Sequence, residues 1–195
     1  AIRKGIEHQA QVCGFTTTSI FQNNLGQVGD DIDAIVAVGK FSPVQVQQLS
    51  RLSSQLVFVD DDHFAQGFSS VVTDFTFATN RVVDYFWRRG IRDIGMIYGK
   101  EWSTDQQVEI PNQRQQSFEQ ALQRHHAYHA EYVLAGDYTS QSGFLMMKRA
   151  IEMLGDRLPH AFFIANDPMA AGALKALQQA DIAVPQRVKL FSFNN

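Results

Sequence analysis

The stretch Ala161-Phe162-Phe163-Ile164-Ala165-Asn166-Asp167-Pro168-Met169-Ala170-Ala171-Gly172-Ala173-Leu174-Lys175-Ala176-Leu177 changes its period in mid-course. Its first five residues form an uninterrupted apolar run of strand length, which suits a strand covered on both faces. Asp167-Pro168 then supplies a helix N-cap and a first-turn proline, and the following apolar residues read as an amphipathic helix over Met169–Ala180. A doubly covered strand that passes directly into a helix is half of a βαβ unit.

Working outward, the same alternation covers most of the chain. Strands are expected at Phe15–Phe21, Ala34–Val38, Leu56–Asp60, Ser70–Asp74, Ile94–Gly99, Glu131–Leu134, Ala161–Ala165 and Val188–Phe193. Ser42-Pro43 repeats the cap-and-proline device before a helix over Val44–Ser54. A helix over Thr76–Arg89 is expected to stop at Gly90, and the first helix at Gly14, as glycine stop signals dictate. The pattern is that of an α/β fold, with parallel sheets flanked by helices. At Arg88-Arg89-Gly90-Ile91-Arg92 the pattern resets, so two lobes are expected, residues 1–90 and 91–195.

Composition limits what the chain can do. It has 195 residues, 45% of them hydrophobic and 19% charged, within the ordinary globular range. A net charge of −3 lacks the basic surface that nucleic-acid binding by these residues would need. No run approaches the ~18 apolar residues of a membrane span. The single cysteine, Cys13, excludes an internal disulfide framework. It shares a helical face with Ile2 and Ile6, and is expected to pack against a sheet. The absence of an Asn-X-Ser/Thr acceptor fits a cytoplasmic protein. The opening residues read as helix interior, so the chain is expected to begin partway through an element, with the first strand of its first lobe missing.

Doubly wound sheets bind ligands beyond the carboxyl ends of their strands. The residues at those places are Gly39-Lys40, Asp60-Asp61-Asp62, Asp74, Gly99-Lys100, Gly136-Asp137-Tyr138, Asn166-Asp167 and Asn194-Asn195. The set is polar and mixed in charge, which suits hydrogen bonding to hydroxyls of a neutral molecule. Asp167 is explained as a helix cap, which leaves Asn166 for a ligand. Signatures of catalysis are missing: there is no Gly-X-Ser-X-Gly elbow, no phosphate loop and no dinucleotide fingerprint. His125-His126-X-X-His129 reads as surface, Asp60-Asp61-Asp62-His63 as a solvated turn. Neither calls for a metal, and no cofactor is implied.

The order of motifs resembles the effector-binding core of the lactose-repressor family, over nearly the whole chain. Arg89-Gly90-Ile91-Arg92-Asp93-Ile94-Gly95 is similar to that family's "LGHRRIG" segment, and Arg114-Gln115-Gln116-Ser117-Phe118 to "RxxGF", with Ser117 replacing glycine. The "AxNDxMAxGAxxAL" stretch from Ala165 to Leu177 is the most specific match. The first helix and Val38-Gly39-Lys40 look most like a member that governs β-galactoside use. The resemblance implies two Rossmann-like lobes of the type I periplasmic-binding-protein kind, here incomplete. It also implies a small sugar, such as a β-galactoside, bound between the lobes.

By the same resemblance Arg114 would grip hydroxyls, Asn166 would add an amide contact and Tyr138 would pack on the sugar ring. Asp74 and Phe77 would line the first-lobe wall, with Lys40 and Asn194 completing the set. The family usually has aspartate at the Asn194-Asn195 position. The expected role is that of a repressor core, not an enzyme. It would form a homodimer, reach operator DNA through a headpiece outside this chain, and have no membrane contact. A periplasmic sugar-binding protein feeding a transporter shares this fold and is the alternative. An α/β enzyme acting on sugars ranks lower, because no acid–base pair stands out.

Overall fold

The structure, a computed structural model, describes residues 2–21, 24 and 31–193. It divides into two compact units, Ala1–Thr73 with Trp102–Glu109, and Asp74–Glu101 with Ile110–Asn195. This division differs from the one expected at Gly90, because the helix before Gly90 groups with the second unit. No described helix is long and apolar enough to cross a membrane.

In the first unit, β1 (Ile35–Val38), β2 (Leu56–Val59) and β3 (Ser69–Val71) form a parallel sheet in that order. Ile35 lies opposite Leu56, and Val57 opposite Ser69. Helix α2 (Pro43–Leu52) covers one face, and Val46 and Leu49 close over Ala37, Leu56 and Phe58. Its start is the expected one. The Ser42 hydroxyl accepts from the Gln45 amide while the Gln45 side chain returns to the Ser42 amide, a capping box with Pro43 in the first turn. Phe41 and Phe68 each meet Phe58 edge-on at 5.5 Å between centroids.

Two expectations fail in this unit. Phe15–Phe21 is no strand; Phe15 and Phe21 are 64% and 71% exposed. Its threonines and aromatics favour the extended backbone, but a strand exists only where a neighbour takes its hydrogen bonds. Helix α1 (Ile2–Val12) does end at Gly14, which adopts φ +83°, yet it buries no residue. Cys13 is therefore exposed rather than packed against a sheet.

The second unit holds α3 (Phe75–Arg88), β4 (Ile94–Gly99), α4 (Gln113–Arg124), β7 (Val133–Gly136), α5 (Ser140–Leu154), β8 (Ala161–Ile164), α6 (Asp167–Gln179) and β9 (Lys189–Ser192). The four strands are parallel, in the order β7-β4-β8-β9. The decisive apolar run is the sheet's interior, since Ala161 through Ala165 have no exposed surface. Side chains from successive strand residues leave on opposite faces. Phe162 and Ile164 accordingly pack with Met147, Met169 and Leu177 of α5 and α6, whereas Phe163 packs with Val82, Phe86, Phe118 and Leu122 of α3 and α4. Burying each phenylalanine this fully contributes about 1.5–3 kcal/mol.

Helices α5 and α6 approach so closely that backbone meets backbone. A Cβ on Gly172 would lie 1.9 Å from the Ser140 carbonyl oxygen, and one on Gly143 2.1 Å from that of Met169. After β4 comes a feature absent from the sequence reading, a hairpin of β5 (Glu101–Trp102) and β6 (Glu109–Ile110). Residues 102–109 belong to the first unit, where Asp105 accepts from the hydroxyls of Ser42 and Ser103 at 2.6 Å each.

Candidate functional site

In the second unit the chain runs from β4 to β7 on one side and then crosses to β8 on the other. The order of strands thus reverses between β4 and β8, and it is at such a reversal, beyond the carboxyl ends of the strands, that parallel sheets of this kind take ligands. Two residues at the start of α4 span it. Asn112 caps the helix, its Oδ1 accepting from the Gln115 amide at 3.1 Å, and its Nδ2 donates to the Gly99 carbonyl at the end of β4 (3.0 Å). Arg114, only 7% exposed, donates through Nη1 to the Ala165 carbonyl at the end of β8, also at 3.0 Å.

A closed polar ring forms around this arginine. Its Nη2 donates to Glu101 Oε1 at 2.8 Å and to the Tyr138 hydroxyl at 2.6 Å. The Tyr138 hydroxyl in turn donates to Glu101 Oε1 at 2.7 Å and accepts from Asn112 Nδ2 at 2.7 Å. The rings of Phe75, Tyr138 and Phe193 stand 4.8, 5.2 and 5.6 Å from the guanidinium carbon. Tyr138 itself has φ +67°, a left-handed backbone that a tyrosine rarely takes. The ring also needs Gly99, where a Cβ would lie 2.3 Å from it.

Burial pushes the Tyr138 hydroxyl well above its ordinary pKa; Arg114 opposes that shift and the bond to Glu101 adds to it. Tyr138 therefore keeps its proton at neutral pH and remains a donor. The ring offers a cationic fork, an amide, a phenol, a carboxylate and three aromatic faces. Such a set hydrogen-bonds hydroxyls and packs against apolar C–H surface. Among the described residues no group of three or more His, Cys, Asp or Glu side chains could hold a metal ion.

Of the residues singled out in the sequence, Arg114, Tyr138 and Asn166 come together. Asn166 Nδ2 donates to the Tyr138 carbonyl at 3.0 Å. The division of labour between Asn166 and Asp167 is nevertheless reversed. Asn166 is the N-cap of α6, accepting from the Met169 amide at 2.9 Å, and Asp167 is the first helical residue, bonded to the Ser192 hydroxyl. Asn166 has extended backbone angles (φ −155°, ψ 167°), as a cap requires, so the cap lies one residue earlier than the proline suggested.

Asp74 caps α3 through the Phe77 amide at 2.8 Å. Phe77 is 60% exposed, with the Arg81 guanidinium 5.7 Å from its ring, and it is Phe75 that faces Arg114. Lys40 lies in the first unit, where its Nζ donates to the Asp60 carbonyl and stands 3.9 Å from the Asp60 carboxylate. Asn194 lies outside the described residues.

The Asp60–His63 segment is more ordered than a solvated turn. His63 is 7% exposed, contacts Asp61 Oδ2 at 2.8 Å and Gln66 Oε1 at 2.9 Å, and meets the Phe58 ring at a tilt of 49° with 4.2 Å between centroids. His125, His126 and His129 are on the surface as expected, His125 stacked on Trp87. The sequence reading passed over Glu101, Asn112, Phe75 and Phe193. Glu101 stands two residues beyond the strand it follows, and Asn112 is an asparagine cap one residue after a proline, a signal that sequence alone carried.

A model of the periplasmic binding protein-like domain matches residues 83–195. The chain is 35% identical over 194 residues to the HTH-type transcriptional regulator GalR of Streptococcus thermophilus, taking in 100% of this chain and 58% of that protein. It is 34% identical over 195 residues to GalR of Lacticaseibacillus casei, with 100% and 59% covered. The chain thus spans less than two thirds of the length of these curated relatives. A LacI family transcriptional regulator from Lactobacillus casei, solved with bound sucrose, shares the fold with a TM-score of 0.78 at 20% identity, over 98% of this chain and 73% of that one.

Proposed function

The chain belongs to the family of periplasmic-binding-protein-like domains found in LacI/GalR-type regulators, and we propose that it forms the effector-binding core of a bacterial transcriptional repressor. The effector is a small sugar, with a β-galactoside the first candidate. The observation that carries this reading is the ring of Arg114, Glu101, Tyr138 and Asn112 beside three aromatic faces, at the carboxyl ends of β4 and β8. A sugar presents both hydroxyls and an apolar C–H face, and this ring matches the two together. Two relatives named GalR favour galactosides within that class. So does the likeness of the first helix and of Val38-Gly39-Lys40 to the repressor of the evolved β-galactosidase operon.

The mechanism is allosteric. A sugar bound at Arg114 and Tyr138 changes operator affinity only as far as it binds one conformation more tightly than another. A chain with a net charge of −3 suits a role in which DNA contact is made elsewhere, by a headpiece outside this segment. In this reading the intact protein is a homodimer, which light scattering tests. The sugar reading is tested by thermal denaturation against galactosides, other sugars and purines. A ligand at 100 times its Kd adds about 2.7 kcal/mol of stability. A galactoside shift that is lost in Arg114→Ala supports the reading; a shift with purines alone, or with no ligand, refutes it.

A further inference from the structure

A buried arginine is by default a clamp for anions, since its fork matches carboxylate and phosphate bidentately. In this site that tendency is already met from within. Glu101 Oε1 lies 2.8 Å from Arg114 Nη2, and the two side chains are only 22% and 8% exposed. The pair brings one positive and one negative charge to the ring. Asp167, next to Asn166, adds a further carboxylate at the end of β8. An incoming anion would meet a cation that is already paired, and would have to displace Glu101 into a partly buried position with no partner.

An uncharged hydroxyl meets no such barrier. Both protein contacts of Glu101 are made by Oε1, and Oε2 makes no hydrogen bond among the described residues. A hydroxyl can donate to that oxygen and accept from the Arg114 fork without breaking the ion pair. Glu101 therefore sets the charge of the ligand that the site accepts. We propose that Glu101 is a specificity-determining residue, whose pairing with Arg114 makes the site select neutral, hydroxyl-rich ligands and reject uronates and sugar phosphates. This inference rests on the sugar-site reading above and narrows it.

The test is titration calorimetry of the intact protein with galactose and glucose, each beside its uronate and its 6-phosphate, for the wild type, Glu101→Gln and Arg114→Ala. A charge-assisted contact is worth enough that the wild type should prefer the neutral sugar by about tenfold or more. In Glu101→Gln, where Arg114 is left uncompensated, that preference should narrow about tenfold or invert, most strongly at low ionic strength. An anion bound by the wild type as tightly as its neutral parent overturns the inference. So does an unchanged ratio in a folded Glu101→Gln. Either result leaves the sugar site standing as long as Arg114→Ala abolishes binding. Failure of every sugar to bind the wild type overturns the sugar-site reading itself. If Glu101→Gln does not fold, as judged by circular dichroism, the wild-type ratio decides alone.

Discussion

Asn166 holds the carbonyl of Tyr138 at 3.0 Å through its Nδ2 while its Oδ1 caps α6, so one amide fixes both a helix start and a left-handed tyrosine. The two roles can be separated. Asn166→Ala removes both and is expected to destabilise the protein by about 1–2 kcal/mol. Asn166→Asp keeps the capping oxygen but cannot donate to Tyr138. It should recover most of the stability in urea denaturation while sugar binding stays impaired.

The Arg114–Glu101 pair should show strong coupling. Arg114→Met strands a carboxylate that is only 22% exposed, and is expected to cost about 1–3 kcal/mol. Combining it with Glu101→Gln removes the stranded charge, so the double variant should be more stable than the sum of the single effects predicts. A double-mutant cycle in urea reads this directly; strict additivity would mean that the pair contributes nothing to the fold.

Tyr138 makes the stability depend on alkaline pH. Burial, with the bond to Glu101 adding to it, raises its pKa in the folded protein above the ordinary 10.0. The folded state then keeps a proton that the unfolded state releases. Its stabilising contribution is complete below pH 10 and declines as pH rises above that value. Tyr128, pushed up to about 12 by burial and then by its bond to Glu119, acts in the same direction. Ultraviolet titration should therefore show part of the five tyrosines ionising late. Tyr138→Phe should remove one late-titrating group and flatten the fall in urea midpoint above pH 10.

Two glycine-to-alanine changes should have opposite signs. Gly172→Ala places a methyl 1.9 Å from the Ser140 carbonyl, a backbone atom that cannot swing aside. Forcing α5 and α6 apart should cost about 1–3 kcal/mol or more. Gly5 lies within α1 and has nothing within 4 Å of its would-be Cβ. Gly5→Ala should be neutral or stabilising by up to about 1 kcal/mol, through the higher helix propensity of alanine. Chemical denaturation of both variants checks the contrast.

The signals that were legible in the sequence are local or periodic. Ala161–Ala165 reads as a strand covered on both faces because five apolar residues in succession have no polar face to expose, and all five are buried. Ser42-Pro43 and Gly14 mark helix ends because backbone geometry there depends on one or two residues. Arg114 and Tyr138 were found from the place of motifs along the chain, and the structure brings them within hydrogen-bond reach. The proline at 168 misplaced the cap by one position, since both Asn and Asp can cap and only the backbone angles choose between them.

By itself the sequence determined the parallel α/β class, the burial of Ala161–Ala165 on both faces, the cap of α2 and the glycine stops, all of which follow from hydrophobic period and single-residue backbone preference. Tertiary structure alone decided which strands found neighbours, leaving Phe15–Phe21 unpaired and Cys13 exposed. It alone brought Glu101, from a hairpin that no periodicity announced, to 2.8 Å from Arg114, thirteen residues on. Pairing of strands and of opposite charges depends on distances in space, which are set only when separate elements pack, and no local pattern of residues encodes them.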